Sequence, residues 1–374
     1  MAHEQIRLAI IGAGAVTVAR HLPALAALGG KALSIFDPSQ DAGRKAADDF
    51  DIPLVASSME DAIRVDGVDA VLVASPNSFH REQVECAFDA GRHVLSEKPI
   101  ALKLSDARAM NDAAKKAGRI FQLGFHHRYS SEHNCVKELI NAGLLGRVQS
   151  FNGIISEPFE TIPGGLKNYR FDAKQGGGFT LIDVGQHRID QTRALLGDVA
   201  EVYVEMSSVL ETHNMDDSVI LTLKMKSGAI GSLSWYRFSR AFTSPAMYFG
   251  TKAALGASAF ITTPFQSAPV SIFLEDDPAK VLPPEILSWT RPTRWWGDLD
   301  PGWVNIWPPR RRTFEEQFRN FFAAIRGENA PMANGEDGYK ALEVVQAAYL
   351  SFAERRPVTL PLAVDTDVPA PTWG

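Results

Sequence analysis

Two short stretches of this sequence carry side chains that could take part in proton transfer. In HVLSEKPIA (residues 93–101), an apolar run ends at Glu97 and Lys98 and is followed at once by a proline. An exposed Glu-Lys pair is the ordinary explanation of such a dipeptide. Its place at the end of a buried strand, where a proline fixes the backbone, favours a functional lysine instead.

The second stretch is GGGFTLIDVGQHRIDQTRALLG, residues 176–197. It carries Asp183, His187 and Asp190, whose spacings of four and three residues predict one polar stripe on a helix. A solvated helix face with an Asp-His pair is the competing interpretation. Two carboxylates and a histidine could also bind a cation, but this interpretation is the weaker one, and we expect no metal. The glycines before the helix predict a close approach of the backbone to another element.

A glycine-rich turn near the N-terminus predicts a dinucleotide site. In LAIIGAGAVTVARHL, Gly12 permits a tight turn and Gly14 lets the backbone approach a pyrophosphate at a helix N-terminus. Ala15 and Val16 complete the predicted cofactor-binding turn. Thr17 stands where the usual pattern has a third glycine, so helix and strand are expected to pack slightly further apart.

The second strand ends in SIFDPS, which places Asp37 25 residues after Gly12. A carboxylate at this point accepts hydrogen bonds from both hydroxyls of the adenosine ribose and repels a 2′-phosphate. The sequence therefore favours NAD over NADP. An Asp-Pro turn residue without a ligand is the alternative for Asp37.

Polar turns after two further strands are expected to face the same crevice, because ligands of parallel sheets bind beyond the carboxyl ends of the strands. In VASPNSFH, Ser75 and Asn77 are predicted cofactor contacts, whereas His80 is expected to be a packing or capping histidine. Glu97 and Lys98 follow the next strand and are predicted to reach the cofactor as well.

The elements that must position these residues follow from the periodicity. Short apolar runs alternate with helix-like stretches over residues 6–125, which predicts a doubly wound parallel sheet. Longer strands with one covered face follow, with two helices near 314–326 and 338–354. We therefore predict an α/β fold in which residues 1–127 form a Rossmann domain and residues 128–374 form an α+β domain with a large, mostly antiparallel open sheet.

Residues 262–312 contain nine of the 22 prolines and five of the seven tryptophans. Regular helix or sheet throughout is excluded at that proline density. A long ordered loop packed on its own domain is one interpretation. A lid, a sugar-stacking surface and a subunit contact are the others. The run PPRRR within this segment is expected to be a solvated turn.

Composition narrows the class of protein. The 38 basic and 44 acidic residues give a net charge of −6, which offers no reason to expect a nucleic-acid partner. Cys86 and Cys135 form neither a metal-binding spacing nor a disulfide framework. With no signal-peptide layout and no long apolar run, we expect a cytoplasmic protein without a membrane partner.

The motifs GAGAVT, DP, SPNSFH, EKP and GGGFTLIDVGQH occur in this order, and together they resemble those of the Gfo/Idh/MocA family, named after glucose–fructose oxidoreductase and inositol dehydrogenase. The resemblance extends to the closing RRPVTLP. It implies an NAD(P)-dependent oxidoreductase of sugars, inositols or related polyols, and a homodimer or homotetramer formed through the C-terminal sheet. Family roles fall on Lys98 as the active-site lysine, with Asp183 and His187 as its partners. The stretch FHHRY departs from relatives that have asparagine before the arginine.

The chemistry expected at this site is reversible oxidation of a secondary alcohol. His187 is the predicted base and Lys98 the predicted electrostatic partner of the oxygen. Candidates for substrate contacts are Lys98, His126, Arg128, Tyr169, Arg170, Lys174, Asp183 and His187. The alternatives are an NAD-dependent glycoside hydrolase that uses transient oxidation, a dinucleotide-sensing regulator, and an interaction protein that retains the fold. A cis bond between Lys98 and Pro99 is also predicted.

Overall fold

The structure, a computed structural model, describes residues 6–158, 168–209, 215–258, 267–291, 299–363 and 366–373. Parts of the Trp- and Pro-rich segment, residues 262–266 and 292–298, lie outside the described residues. The remainder of that segment contributes two short helices and three strands, so it is more regular than its proline content suggests.

Six parallel strands form the first sheet, in the order β3-β2-β1-β4-β5-β6. They are β1 (Arg7–Ile11), β2 (Lys31–Phe36), β3 (Leu54–Val55), β4 (Ala70–Val73), β5 (His93–Ser96) and β6 (Phe121–Leu123). This is the doubly wound order of dinucleotide-binding domains, with a crevice where the order reverses between β1 and β4. The predicted parallel sheet is confirmed.

Ten strands form the second sheet, in the order β14-β15-β13-β12-β11-β7-β10-β9-β8-β16. They are β7 (Val148–Ser156), β8 (Val199–Ser207), β9 (Ser218–Met225), β10 (Ile230–Tyr236), β11 (Pro245–Gly250), β12 (Ala254–Ser258), β13 (Val270–Leu274), β14 (Thr290–Arg291), β15 (Gly302–Ile306) and β16 (Val358–Thr359). Strands β7 and β10 run parallel and the other neighbouring pairs are antiparallel. The predicted large open sheet is confirmed.

Twelve α-helices connect or cover these strands in the described part of the chain. They are α1 (Leu22–Ala27), α2 (Gln40–Asp49), α3 (Met59–Ile63), α4 (His80–Asp89), α5 (Leu104–Ala117), α6 (Ser131–Asn141), α7 (Ala173–Gly176), α8 (Gln186–Leu196), α9 (Pro278–Val281), α10 (Pro284–Ser288), α11 (Thr313–Ile325) and α12 (Gly335–Glu354). None of these helices is both long enough and apolar enough to cross a membrane.

One late helix returns to the first sheet. Phe318 and Phe321 of α11 are fully buried in the same core cluster as Leu8 and Ile10 of β1. Their apolar faces cover a part of the parallel sheet that the first 127 residues leave open, which contributes about 2–3 kcal/mol per buried side chain. The Rossmann core therefore includes residues from both sides of the predicted boundary.

Candidate active site

The glycine turn lies directly after β1 and leads into a helix that starts with a π-helical turn, Thr17–His21, and continues as α1. Gly12 has a φ of +101°, and a Cβ there would lie 2.7 Å from the Ala74 carbonyl oxygen, so only glycine fits. Beside Gly14 the space is open, with no described atom within 4 Å of where a Cβ would stand. This open ledge in front of a helix N-terminus fits a dinucleotide pyrophosphate.

Asp37 closes one side of that turn. Its Oδ2 accepts a hydrogen bond from the Ala13 amide at 2.7 Å, and its Oδ1 accepts one from the Ser39 amide at 2.8 Å. The carboxylate is thereby held at the tip of β2 beside the glycines, where an adenosine ribose would lie.

The turn after β5 is built around a buried carboxylate. Glu97 Oε1 lies 2.8 Å from Nε2 of His21, and Oε2 accepts a hydrogen bond from the Lys98 amide at 3.2 Å. Burial opposes ionisation, but His21 and Lys98 hold the pKa of Glu97 below its ordinary value. Glu97 thus connects the turn after β5 to the helix that follows the glycine turn, through its contact with His21. The Lys98–Pro99 bond is cis, as predicted.

The turn after β4 is linked to the turn after β5 and to the glycines of residues 176–178. His80 is fully buried between the Pro99 and Ser75 carbonyls, so its predicted packing role is confirmed. Ser75 donates to Gln83 at 2.6 Å, and Asn77 donates to the Gly176 carbonyl at 3.0 Å. Asn77 therefore joins the Rossmann domain to the three glycines, residues 176–178, that stand before the helix carrying Asp183 and His187.

Those glycines bring the backbone into contacts that a side chain would block. Gly177 and Gly178 have φ values of +80° and +134°. A Cβ on the first would lie 2.4 Å from Leu102, and one on the second 2.6 Å from the Tyr349 hydroxyl. The predicted close approach is confirmed.

The helix that follows does not begin with ordinary α-helical spacing. Residues Thr180–Gly185 form a π-helical turn, and α8 starts only at Gln186. Asp216 holds the start of this helix, because its carboxylate accepts the Phe179 and Leu181 amides at 3.1 and 2.8 Å. Burial raises the pKa of Asp216 to about 6. Sequence reasoning missed this residue, which carries no motif.

Lys98 and Asp183 meet in the crevice between the two sheets. Lys98 Nζ donates to Asp183 Oδ1 at 2.6 Å and to the Asp183 carbonyl at 3.2 Å, and Arg170 Nε donates to Oδ2 at 3.0 Å. Burial opposes the charge, but Lys98 and Arg170 hold the pKa of Asp183 well below its ordinary value. The carboxylate is thus ionised and shared between a lysine and an arginine.

His187 lies next to this ion cluster, in a group of three imidazoles. The rings of His187 and His127 are stacked with centroids 4.3 Å apart, and His126 meets His187 edge-on at 4.7 Å. Burial, followed by the proximity of His127 and of the Lys98 ammonium group, lowers the pKa of His187 well below its ordinary value. Its Nδ1 is buried without a hydrogen-bond partner among the described residues. His187 is therefore neutral at pH 7.

The ligand nitrogens of these three histidines lie within 4.8 Å of one another. Because the stacked rings of His127 and His187 are only 18° from parallel, their in-plane lone pairs do not converge on one point. A metal ion could be held only after one ring has rotated. The expectation of a metal-free reaction stays a prediction.

Asp190 and Arg128 form a separate, buried ion pair. Arg128 donates to both carboxylate oxygens of Asp190 at 2.7 and 2.6 Å, and it also contacts Asp337 and the Met332 carbonyl. Only 7% of Arg128 is exposed. Its guanidinium is thus occupied by protein groups, and we do not retain the predicted contact of Arg128 with substrate.

The remaining candidates lie at the edge of the site. Tyr169 is half-buried. The Arg170 guanidinium carbon packs over the Tyr169 ring, 5.0 Å from the ring centroid. Lys174 is exposed. Arg237, which no motif signalled, is buried, pairs with Glu157 and also acts electrostatically on Asp183.

Comparison with known proteins shows which family this chain belongs to. Residues 6–125 match the NAD-binding Rossmann domain of the GFO/IDH/MocA oxidoreductase family, and residues 133–255 match the C-terminal domain of the same family. The two segments together span more than half of the chain.

Two similar proteins and one solved structure extend over nearly the full length. A 1,5-anhydro-D-fructose reductase of Ensifer adhaerens is 29% identical over 90% of this chain and 94% of its own. A myo-inositol 2-dehydrogenase of Thermotoga maritima is 26% identical over 87% of this chain and 90% of its own. The structure of a levoglucosan dehydrogenase in complex with NADH superimposes with a TM-score of 0.81 at 22% identity, covering 96% of this chain and 100% of that one. The protein is a member of the Gfo/Idh/MocA family of NAD(P)-dependent oxidoreductases.

Proposed function

We propose that this protein interconverts a secondary alcohol and a ketone on a sugar, inositol or related polyol, with NAD as cofactor. The observation that carries the proposal is the cluster in which Lys98 and Asp183 meet beside His187. The two similar proteins described above, a sugar reductase and an inositol dehydrogenase, support the substrate class.

The main chain of residues 12–16 would hold the pyrophosphate, and Asp37 would hold the adenosine ribose. In detail, Gly12, Gly14, Ala15 and Val16 form the ledge, and the polar turns of Ser75, Asn77 and Glu97 border the nicotinamide end. When bound, NAD supplies the acceptor for a hydride. A 2′-phosphate beside Asp37 would meet a like charge, so NADP is disfavoured.

Lys98 is suited to hold the reacting oxygen. An ammonium group has three N–H donors, and two of them are used on Asp183. The third has no partner among the described residues and is available to a substrate hydroxyl. As the hydroxyl proton leaves, the positive charge stabilises the alkoxide-like oxygen, an effect that is largest in a water-poor site.

His187 is suited to accept that proton. It is neutral at pH 7 and lies close enough to Lys98 for the ammonium charge to lower its pKa. Asp183 orients Lys98 and, with Arg170, can bind a neighbouring hydroxyl. In the reverse direction His187 returns the proton to the carbonyl oxygen.

The test is NADH formation at 340 nm with a panel of sugars, inositols and sugar acids, with NAD and NADP supplied separately. His187→Ala should lower kcat by about 10²–10⁴-fold, since a general base contributes that factor. NADH affinity should be unchanged. His93→Gln is the matched control, because His93 also has a lowered pKa but begins β5 at the far end from Lys98. Turnover in His187→Ala close to wild type would remove the assignment.

The same assay separates the main alternatives. A glycoside hydrolase that uses transient oxidation releases its aglycone without net NADH. A dinucleotide-sensing regulator binds NADH but turns over no alcohol in the panel. Steady NADH formation in proportion to the polyol consumed is the result that we expect.

We infer further that the outer face of the ten-stranded sheet forms a homodimer or homotetramer. Exposed apolar side chains lie along one cross-strand row, in which Trp303 pairs with Phe273, Phe273 with Ala254, and Ala254 with Phe249. Ile230 lies further along the same row, beyond Ser150. An exposed apolar row of this length is typical of a protein contact.

Light scattering after size exclusion tests this inference. Phe249→Glu should shift the protein toward the monomer, because it places a charge in the middle of the row. Leu54→Glu is the control, since Leu54 is equally exposed but belongs to the Rossmann sheet. A monomeric wild type would overturn the inferred interface.

A further inference from the structure

Four arginines are buried in the described part of the chain: Arg128, Arg188, Arg193 and Arg237. Three of them pair with a carboxylate, namely Asp190, Asp198 and Glu157 respectively. Arg188 is the exception. Its Nη2 donates to the carbonyl and the hydroxyl of Ser244, at 3.1 and 2.6 Å, and its Nε is enclosed without a hydrogen-bond partner among the described residues.

A buried guanidinium without a counter-charge is unfavourable, because arginine cannot give up its proton under ordinary conditions. Arg188 is 9% exposed, and burial lowers its pKa. No described carboxylate forms an ion pair with it. The fold nevertheless makes room for this side chain, whose Cδ lies 3.6 Å from where a Cβ of Gly153 would stand on β7.

Arg188 lines a cavity of about 610 Å³, which also has His126 and His127 in its wall. That volume lies within the range of small-molecule sites. Two exposed arginines, Arg20 and Arg311, stand around the same cavity. Arg311 belongs to the run PPRRR, which the sequence predicted to be only a solvated turn.

The other charges that face the cavity leave it positive. Arg312 and Glu315 pair with each other at 3.2 Å. Glu132 is within electrostatic reach of Arg310 rather than of Arg188. The histidines that line the cavity, His126, His127 and His133, have pKa values lowered by burial, so they add little charge at pH 7. The net charge of the wall is set by Arg20, Arg188 and Arg311 against Glu132.

We propose that this cavity binds the carboxylate or phosphate of an anionic sugar, and that Arg188 supplies the buried contact. Arg188 follows His187 directly in α8, and the His187 ring stacks on His127 in the cavity wall. An anionic group held by Arg188 therefore lies on the same side as His127, whose ring stacks on that of His187. The proposal rests on the proposed function in one respect only, that the anion is part of the substrate.

The first experiment measures binding rather than turnover. Calorimetry on the full-length protein with NADH present compares four probes: D-glucuronate, D-glucose 6-phosphate, D-glucose and inorganic phosphate. The two sugar anions should bind about 10–100-fold more tightly than glucose, because a hydrogen-bonded ion pair with a buried arginine contributes that difference. Their affinity should fall with added salt.

Arg188→Met should remove this advantage and leave the affinity for NADH unchanged, which also shows that the variant is folded. Arg188→Lys should keep part of the tighter binding of the sugar anions, since the positive charge remains but the paired N–H donors of the planar guanidinium are lost. A second test avoids a substitution in the protein interior. Replacing the exposed arginines together, Arg20→Gln with Arg311→Gln, should lower the affinity for both sugar anions by a few fold. Arg147→Gln, an exposed arginine outside the cavity, is the control.

Equal binding of glucose and the sugar anions, or equal binding by wild type and Arg188→Met, would overturn the anion site. Inorganic phosphate binding as tightly as glucose 6-phosphate would overturn the claim that the anion belongs to a sugar. Failure of the proposed function is separate. Arg188-dependent binding without any NADH formation would leave the site standing and remove only its role in substrate selection.

Discussion

Asp183 and Asp190 are seven residues apart on one continuous helical segment, and both are buried carboxylates held by basic side chains. They behave in opposite ways. Lys98 and Arg170 hold the pKa of Asp183 down, whereas burial raises the pKa of Asp190 to about 6 against the attraction of Arg128. Asp337 adds a like charge next to Asp190. The type of residue is therefore a poor guide to its role, and the partners that the fold supplies decide it.

The two ion pairs, Lys98–Asp183 and Arg128–Asp190, differ in how much surface and how many hydrogen-bond donors they leave available to a ligand. Lys98 and Asp183 retain side-chain exposures of 10% and 11% in the crevice, and the lysine keeps an unused donor. Arg128 and Asp190 have exposures of 8% and 1% and fill each other's hydrogen-bonding positions. The first pair is the one that we propose acts on a ligand, and the second joins α8 to the turn after β6. Substitutions at each pair should separate catalysis from stability.

Among the substitutions that test this comparison, Lys98→Met is expected to have the largest effect. Removal of the ammonium group should lower kcat by about 10²–10³-fold, as for the loss of one preorganised donor at a developing oxyanion. Asp183 is still neutralised in part by Arg170, so the melting temperature should change little. Stopped-flow or steady-state NADH kinetics would give kcat, and calorimetry the stability. A loss of stability as large as the loss of rate would contradict the separation.

Arg128→Met should show the converse. It leaves Asp190 buried without its partner, so we expect the free energy of unfolding to fall by about 3–5 kcal/mol at pH 7. Asp190 can then take up a proton in the folded state more readily than in the unfolded state. The destabilisation should therefore be smaller at pH 5 than at pH 8. Denaturant titrations at both pH values provide the measurement, with kcat per folded molecule expected to stay within a few fold of wild type.

Asp37→Ser tests the cofactor half of the site and should have an intermediate effect. The carboxylate that orders the glycine turn and would bind the ribose is lost, so NAD affinity should fall by about 10–100-fold. The difference in affinity between NAD and NADP should decrease, because the carboxylate that repels a 2′-phosphate is removed. Dissociation constants from fluorescence titration would check both statements, and unchanged values for the two cofactors would count against the role of Asp37.

The smallest effect is expected in the pH dependence of alcohol oxidation. Since the pKa of His187 is lowered well below 6.5, the neutral base is fully present at pH 7. Its loss through protonation should begin only below the ordinary pKa of histidine. The acidic limb of kcat should thus lie below pH 6.5, and a midpoint at or above that value would show that another group titrates.

The two sheets, the glycine turn and the crevice were predictable because they depend on local periodicity and on residues at fixed offsets. The pairing of Lys98 with Asp183 was accessible only through the family resemblance, since 85 residues separate them. Asp190 was predicted to share one polar stripe with Asp183 and His187, but the structure pairs it with Arg128, and the π-helical turn of Thr180–Gly185 alters the spacing of Asp183 before α8 begins. Arg128 and Arg188 could not be distinguished from sequence, because their difference lies in partners that come from distant strands and helices.

The ten-stranded sheet presents two unlike faces. Gly153 of β7 faces inward and accommodates Arg188, while Ser150 and Asn152 of the same strand belong to the outer face with the apolar row. An assembly through the outer face would place the crevices of two subunits on opposite sides of a double layer of strands. Each crevice would keep its own route to solvent and share no wall with its neighbour. The crevice of each subunit in such an assembly would be complete without residues from its partner.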